Sequence, residues 1–160
     1  MRIYLPATLD LLAGARSAAD GRTTLDLAPG RAHTVTAALA AALPDEDQEG
    51  LEYSAHLAAA DDSLALLALA PGAPRLRLVL TLEVPGGAVV DAPGDAAVLT
   101  PSAVDVAAVT GARLVCAHVD EPEAAADVAA TLAGDDAAVE RLVERDLLWY
   151  DATELADIPR

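Results

Sequence analysis

Aliphatic and polar residues alternate over residues 75–84, and this alternation constrains the fold more than any other feature of the chain. The aliphatic set is Leu76, Leu78, Leu80, Leu82 and Val84, and the set between them includes Arg75, Arg77, Thr81 and Glu83. Side chains that alternate with a period of two point to opposite faces of a β-strand. The pattern therefore predicts a strand in a sheet with one face covered by helices and one face partly in water.

Shorter patterns predict further strands and helices. Apolar and β-branched runs predict strands at 2–7, 23–27, 32–37, 103–109, 113–119 and 147–150. Helical spacing predicts a long helix between Pro44 and Pro71 and two helices within 120–143, and segment 91–101 is predicted to be a surface connection. Strands and helices do not alternate regularly enough along the chain for a doubly wound parallel sheet. We expect one α+β domain over 1–160, a sandwich of a mainly antiparallel sheet with helices on one face, ferredoxin-like or a duplicated variant.

Acidic residues stand where the helices are expected to begin. Asp45 and Gln48 have the spacing of a capping box, and Asp120 precedes a helical run. Carboxylates at these positions satisfy free backbone N–H groups and complement the helix dipole. The segment Asp61–Ser63 is predicted to divide the long helix into two.

Residues at helical spacing predict the buried face of the long helix. They are Tyr53, Leu57, Ala60, Leu64 and Leu67.

The charge of the chain disfavours two classes of partner. The net charge is −16, from 26 acidic residues against 10 arginines, and lysine is absent. Such a surface repels phosphate, so we expect no nucleic-acid binding and no association with anionic membranes. An acidic mimic of nucleic acid is kept as a weaker alternative.

Compartment and cofactors follow from what the sequence lacks. Pro6 and Asp10 interrupt the apolar segment that a signal peptide needs, so we expect a cytoplasmic protein. Cys116 is the single cysteine and lies in an apolar run, which predicts a buried structural thiol. Glu52 and His56 are an i,i+4 pair without the second histidine of a zinc motif, and the acidic runs lack the spacing of a calcium loop. We expect no metal and no cofactor.

Two groups of residues are candidates for a ligand site. His118 and Asp120 share a strand face, although capping alone would account for Asp120 and leave His118 an ordinary strand residue. Tyr4, Trp149 and Tyr150 supply most of the aromatic side chains, and they would gather near Glu154 if the first and last strands paired. Aromatic residues usually fill a core before they bind ligands, so a core role stays open. No catalytic set is recognisable, and no catalytic residue is assigned.

Four segments carry a resemblance to a known family. They are MRIYLPAT at 1–8, the Glu52-Tyr53 region, HVDEPEA at 118–124 and LLWYDATEL at 147–155. The chain resembles an uncharacterised actinobacterial family of small proteins, and the resemblance spans most of its length. The family has no assigned activity, so the resemblance implies no functional residue. It implies a cytoplasmic actinobacterial protein with one intact domain.

Two functions from different classes follow. The leading hypothesis is a non-catalytic cytoplasmic binding or interaction protein, acting as a homodimer through an exposed sheet face or edge. The alternative is a small enzyme or small-ligand-binding protein with one pocket. The candidate ligand-binding residues for that pocket are Tyr4, His118, Asp120, Trp149, Tyr150 and Glu154. Both hypotheses require the two ends of the chain to join a shared hydrophobic interior.

Overall fold

A computed structural model describes residues 1–92 and 100–159. The strands are β1 (Arg2–Ala7), β2 (Arg16–Ser17), β3 (Thr23–Leu27), β4 (Gly30–His33), β5 (Leu78–Glu83), β6 (Val89–Asp91), β7 (Ala103–Val106), β8 (Val109–Val119) and β9 (Leu148–Asp151). The α-helices are α1 (Ala37–Ala42), α2 (Gln48–Leu69), α3 (Ala125–Leu132) and α4 (Asp136–Val143). Short 3-10 helices cover Leu9–Gly14, Gly86–Ala88, Pro122–Ala124 and Leu155–Asp157.

The described strands form one sheet with β5 and β1 at its centre. The order is β2-β3-β8-β5-β1-β4-β7-β6, and β9 pairs with β8. Each pairing in this part of the chain is antiparallel. The long strand β8 bonds to β3 through its first half and to β9 through its second half. The predicted α+β class with a mainly antiparallel sheet is confirmed.

The leucine face of β5 lies against the main hydrophobic core. Leu78, Leu80 and Leu82 are fully buried there, together with aliphatic residues of β1, β3, β7 and β8. Residues from both ends of the chain, Ile3 and Ile158, belong to the same cluster. The expectation of a shared interior for the two ends is therefore confirmed.

Helix α2 packs on the opposite face of the sheet, against Tyr4 and Val79. Its buried residues are mainly small, and they include Ala55, Ala59, Ala60 and Ser63. Small side chains let the helix approach β1 and β5 closely. The Ser63 hydroxyl donates to the Ala7 carbonyl at 2.8 Å and accepts from the Leu78 N–H at 2.9 Å, which links the helix to both central strands. Tyr53 and Leu57, predicted to be buried, are instead exposed.

Several predicted boundaries are wrong. Helix α2 is continuous through Asp61–Ser63, and its N-cap is Asp47, whose carboxylate accepts from the Gly50 N–H. The strand predicted at 32–37 lies at Gly30–His33. The first and last strands do not pair, because β9 bonds to β8. Most of the predicted connection 91–101 lies outside the described residues.

Across residues 1–92 and 100–159, no helix combines the length and apolar character needed to cross a bilayer.

Candidate functional site

A cleft of about 960 Å³ opens between the sheet, the N-terminal half of α2 and the segment that joins α4 to β9. We call it the histidine cleft. Its lining comprises Arg2, Tyr4, Asp47, Glu49, Gly50, Glu52, Tyr53, His56, Leu57, Ala60, Asp61, Arg77, Thr81, Val115, Cys116, His118, Val143, Arg145, Asp146 and Leu147. The volume falls within the range of roughly 300–1,000 Å³ that is typical of small-molecule sites.

Three neighbouring strands supply the floor of the histidine cleft. Thr81 of β5 is paired with Tyr4 of β1 on one side and with Cys116 of β8 on the other. Residues directly opposite in antiparallel strands share a face, and residues two apart on one strand share it as well. His118 therefore lies on the same face as Cys116. The alternation that buries the leucines on one side of β5 thus turns Thr81 toward the cleft.

Two histidines meet above this floor. The imidazole of His56, from α2, lies with its ring centroid 4.4 Å from that of His118, and the Tyr4 ring meets His56 edge-on at 6.0 Å. Burial lowers the pKa of His56 to about 4, and the nearby His118 and Arg77 act in the same direction. Burial also lowers the pKa of His118. Both rings are therefore neutral at pH 7, and each presents one N–H donor and one nitrogen acceptor.

Buried polar atoms without a hydrogen-bond partner are concentrated in this cleft. Four such side-chain atoms occur in the described part of the chain, and three of them, His56 Nε2, His118 Nδ1 and Thr81 Oγ1, belong to cleft residues. The fourth is Thr131 Oγ1. Thr81 is only 4% exposed. Because most buried polar atoms in proteins are paired, three unpaired atoms in one cleft make it the candidate site of this protein.

A hydrogen-bonded group borders the histidines at the start of α2. Glu52 Oε2 accepts from the Tyr4 hydroxyl and from Arg2 Nη1, each at 3.0 Å, and Glu52 Oε1 accepts from Gln48 at 2.9 Å. The Gln48 hydrogen bond lowers the pKa of Glu52 most, and the bonds from Tyr4 and Arg2 add to this. Desolvation, followed by the Glu52 hydrogen bond, raises the pKa of Tyr4. Glu52 is thus ionised and Tyr4 is a neutral phenol.

Asp120 is not the helix cap that its position predicts, and it forms a buried ion pair with Arg77 instead. It is fully buried and caps no helix, since the following 3-10 helix begins after Glu121 without a side-chain cap. Its Oδ2 accepts from the Arg77 backbone N–H at 2.7 Å, and its Oδ1 accepts from Arg77 Nη2 at 2.8 Å. The Arg77 side chain also reaches the Leu142 and Arg145 carbonyls at 3.4 and 3.5 Å. The pair therefore anchors the segment that forms one wall of the cleft.

The six predicted ligand residues do not gather in one place. Tyr4 and His118 line the histidine cleft, and Asp120 lies behind Arg77. Trp149 is paired with His118 across β8 and β9 and is 58% exposed. Tyr150 packs against the main core, and Glu154 accepts from the Asp151 N–H at 3.0 Å. The strand pairing that would have gathered Tyr4, Trp149 and Tyr150 is not the one observed, because β9 pairs with β8.

Sequence reasoning missed His56, Thr81 and Arg77. The spacing of Glu52 and His56 did place both on one side of α2, and that side faces the cleft. No group of three or more histidine, cysteine or carboxylate side chains suited to a metal ion occurs within 1–92 and 100–159.

Comparison with protein families identifies the relationship of this chain. The model of a family described as a family of unknown function, DUF6912, matches residues 1–158. The chain belongs to DUF6912. The predicted resemblance to an uncharacterised family is thus confirmed, and membership of DUF6912 assigns no specific activity. Comparison with curated proteins gave no match. Comparison with solved structures gave no match either.

Two buried threonines of this DUF6912 protein should respond oppositely to valine. Thr81→Val removes an unpaired hydroxyl at constant shape, so the free energy of unfolding should rise by about 1 kcal/mol. Thr34 is equally buried, but its hydroxyl donates to the Arg2 carbonyl at 2.8 Å. Thr34→Val should therefore lower the free energy of unfolding by about 1 kcal/mol. Urea denaturation measures both, and a loss of stability in both variants would contradict the description of Thr81.

Proposed function

We propose that this protein binds a small organic molecule in the histidine cleft and acts without catalysis. The observation that carries the proposal is the unpaired state of His56 Nε2, His118 Nδ1 and Thr81 Oγ1 among the described residues. Leaving a buried polar atom unpaired costs roughly 1–3 kcal/mol. Three such atoms in one cleft therefore lower the stability of the fold when the cleft holds no ligand. A ligand that pairs with them offsets that cost.

The shape and polarity of the cleft support a ligand with one polar end. The polar atoms lie at the inner end, on the strands and on the buried side of α2. Exposed apolar side chains, Tyr53, Leu57 and Val143, line the outer part. Ligand sites commonly combine apolar walls with a few convergent polar groups that fix orientation. The proposed ligand therefore enters with its polar end first and leaves its apolar body between Leu57 and Val143.

The protonation of the histidines favours binding over acid–base chemistry. A general base works best when its pKa lies near the working pH. Burial depresses the pKa of His56 to about 4, which makes it a weak proton acceptor at neutral pH. Neutral imidazoles remain good hydrogen-bond partners under the same conditions. We therefore propose ligand binding for the pair and assign no catalytic residue.

The test uses the imidazole NMR signals of the three histidines during a screen of small organic compounds. His33 serves as the internal control, because it is fully buried outside the cleft and is bonded to Ser102 and Asp62. We expect compounds that shift the His56 and His118 signals together and leave the His33 signal in place. A broad library in which no compound shifts the His56 and His118 signals would contradict the proposal.

Four expectations from the sequence remain predictions alongside this proposal. They are the single domain over 1–160, the cytoplasmic location, the homodimer and the lack of nucleic-acid binding. A net charge of −16 supports the last of them.

A further inference from the structure

We infer that the ligand of the histidine cleft is a small organic cation with an ammonium or similar N–H-bearing head. The inference rests on the proposed binding function and adds the chemical class of the ligand. It is carried by the balance of charges around the cleft and by the hydrogen-bonding character of its unpaired atoms.

The arginines that line the cleft are already paired with carboxylates. Arg2 bonds to Glu52 at 3.0 Å, and Arg77 is held by the buried Asp120 at 2.8 Å. Arg145 contacts Asp127 at 2.9 Å and also bonds to Glu121. An anionic ligand would have to compete with these partners, and the buried Arg77–Asp120 pair would lose most if Asp120 were displaced. The cleft is therefore poorly suited to a carboxylate or phosphate.

Carboxylates without an ion-pair partner remain in the lining. Within residues 1–92 and 100–159, the cleft carboxylates that form no salt bridge are Asp47, Glu49, Asp61 and Asp146. They come from both sides of the opening, since the first three belong to the N-cap and body of α2 and the last follows α4. A cleft lined by charges of one sign concentrates ligands of the opposite sign.

The unpaired atoms of the floor match a donor-rich head. An ammonium group has three N–H donors and no acceptor. The hydroxyl of Thr81 and one nitrogen of each neutral imidazole can accept hydrogen bonds, and Thr81 is buried and unpaired among the described residues. The exposed ring of Tyr53 at the opening adds an aromatic face, which attracts cations. The carboxylates at the opening therefore select a cation, and the floor offers acceptors to the N–H donors of its head.

The experiment compares compounds matched in shape and different in charge. The trio is phenethylamine, 2-phenylethanol and 3-phenylpropionate, and each is titrated while the His56, His118 and His33 imidazole signals are recorded. We expect phenethylamine to shift the two cleft histidines with at least about tenfold higher affinity than the carboxylate, and more tightly than the alcohol. Equal or tighter binding of the alcohol or the carboxylate at these histidines would overturn the inference and leave the proposed function standing. If none of the three shifts His56 and His118, the inference fails, and if no compound of the wider screen shifts them either, the proposed function fails as well.

A pair of substitutions tests the carboxylates directly. Glu49→Gln combined with Asp146→Asn removes two charges at the opening without changing the floor. Each exposed charge contributes modestly, so the affinity for phenethylamine should fall by about three- to tenfold while binding of 2-phenylethanol stays within twofold. Glu140→Gln, on the exposed surface of α4 outside the cleft lining, is the matched control and should leave both affinities unchanged. An unchanged affinity for phenethylamine in the double variant would contradict the inference.

Discussion

Replacing Asp120 with asparagine should lower the free energy of unfolding by about 3–5 kcal/mol, the loss expected when one member of a buried ion pair is removed. Both side chains of the pair are almost completely buried, and Asp120 accepts from the backbone as well as from the guanidinium of Arg77. The substitution preserves the size of residue 120 but leaves the Arg77 charge uncompensated. Urea denaturation at pH 7 measures the loss.

A surface pair provides the matched control. Arg113 and Glu83 lie 2.8 Å apart, with roughly half of each side chain exposed. Exposed pairs of this kind contribute about 0.2–1 kcal/mol, so Glu83→Gln should stay within that range. If Asp120→Asn costs no more than Glu83→Gln, the ion pair does not anchor the cleft wall, and the description of Arg77 as its support is wrong.

Replacing His56 with phenylalanine should remove part of the acid sensitivity of the protein. The folded protein holds this group with a pKa of about 4, whereas the unfolded chain titrates at its ordinary value of 6.5. Between these values the unfolded state binds the proton more readily, so the contribution of His56 to stability falls as the pH is lowered. The slope is at most about 1.4 kcal/mol per pH unit, which gives up to about 2 kcal/mol between pH 6.5 and 5.

The many carboxylates contribute equally to the pH dependence of stability in the variant and the wild type. The difference between the two stability curves therefore isolates the contribution of His56. Unfolding free energies are measured at pH 7, 6 and 5. As the pH falls, the free energy of unfolding of His56→Phe should rise relative to that of the wild type. Tyr53→Phe, an aromatic control variant on the exposed side of the same helix, should run parallel to the wild type. Parallel curves for His56→Phe would mean that the imidazole is well solvated and that the cleft does not bury it.

The fold class could be predicted because it depends on local periodicity. The alternation around Leu80 defines a strand whichever partners it meets, and the spacing after Pro44 defines a helix. The face that α2 buries was harder to predict, because alanines and Ser63 make up most of it while Tyr53 and Leu57 are exposed. Leucine and alanine occur on both the buried and the exposed side of α2, so residue type alone does not identify its buried side.

The candidate site could be predicted only in part, because its members are brought together by strand pairing. Tyr4 and His118 were identified from their residue types, but His56 comes from a helix and meets His118 only through packing. Asp120 shows the limit most clearly. Its position before a helix is the one that a cap would occupy, yet its partner Arg77 is 43 positions away in sequence. Local spacing cannot distinguish a cap from a buried ion pair.

The most direct measurement of the central claim is the affinity of the Thr81→Val variant for phenethylamine, followed by the His56 and His118 NMR signals. If Thr81 pairs with the ligand, the substitution should weaken binding by about fivefold, the value of one hydrogen bond, while it raises the free energy of unfolding. Thr34→Val should leave the affinity unchanged. Undiminished binding by Thr81→Val would show that the unpaired hydroxyl on the cleft floor does not serve a ligand.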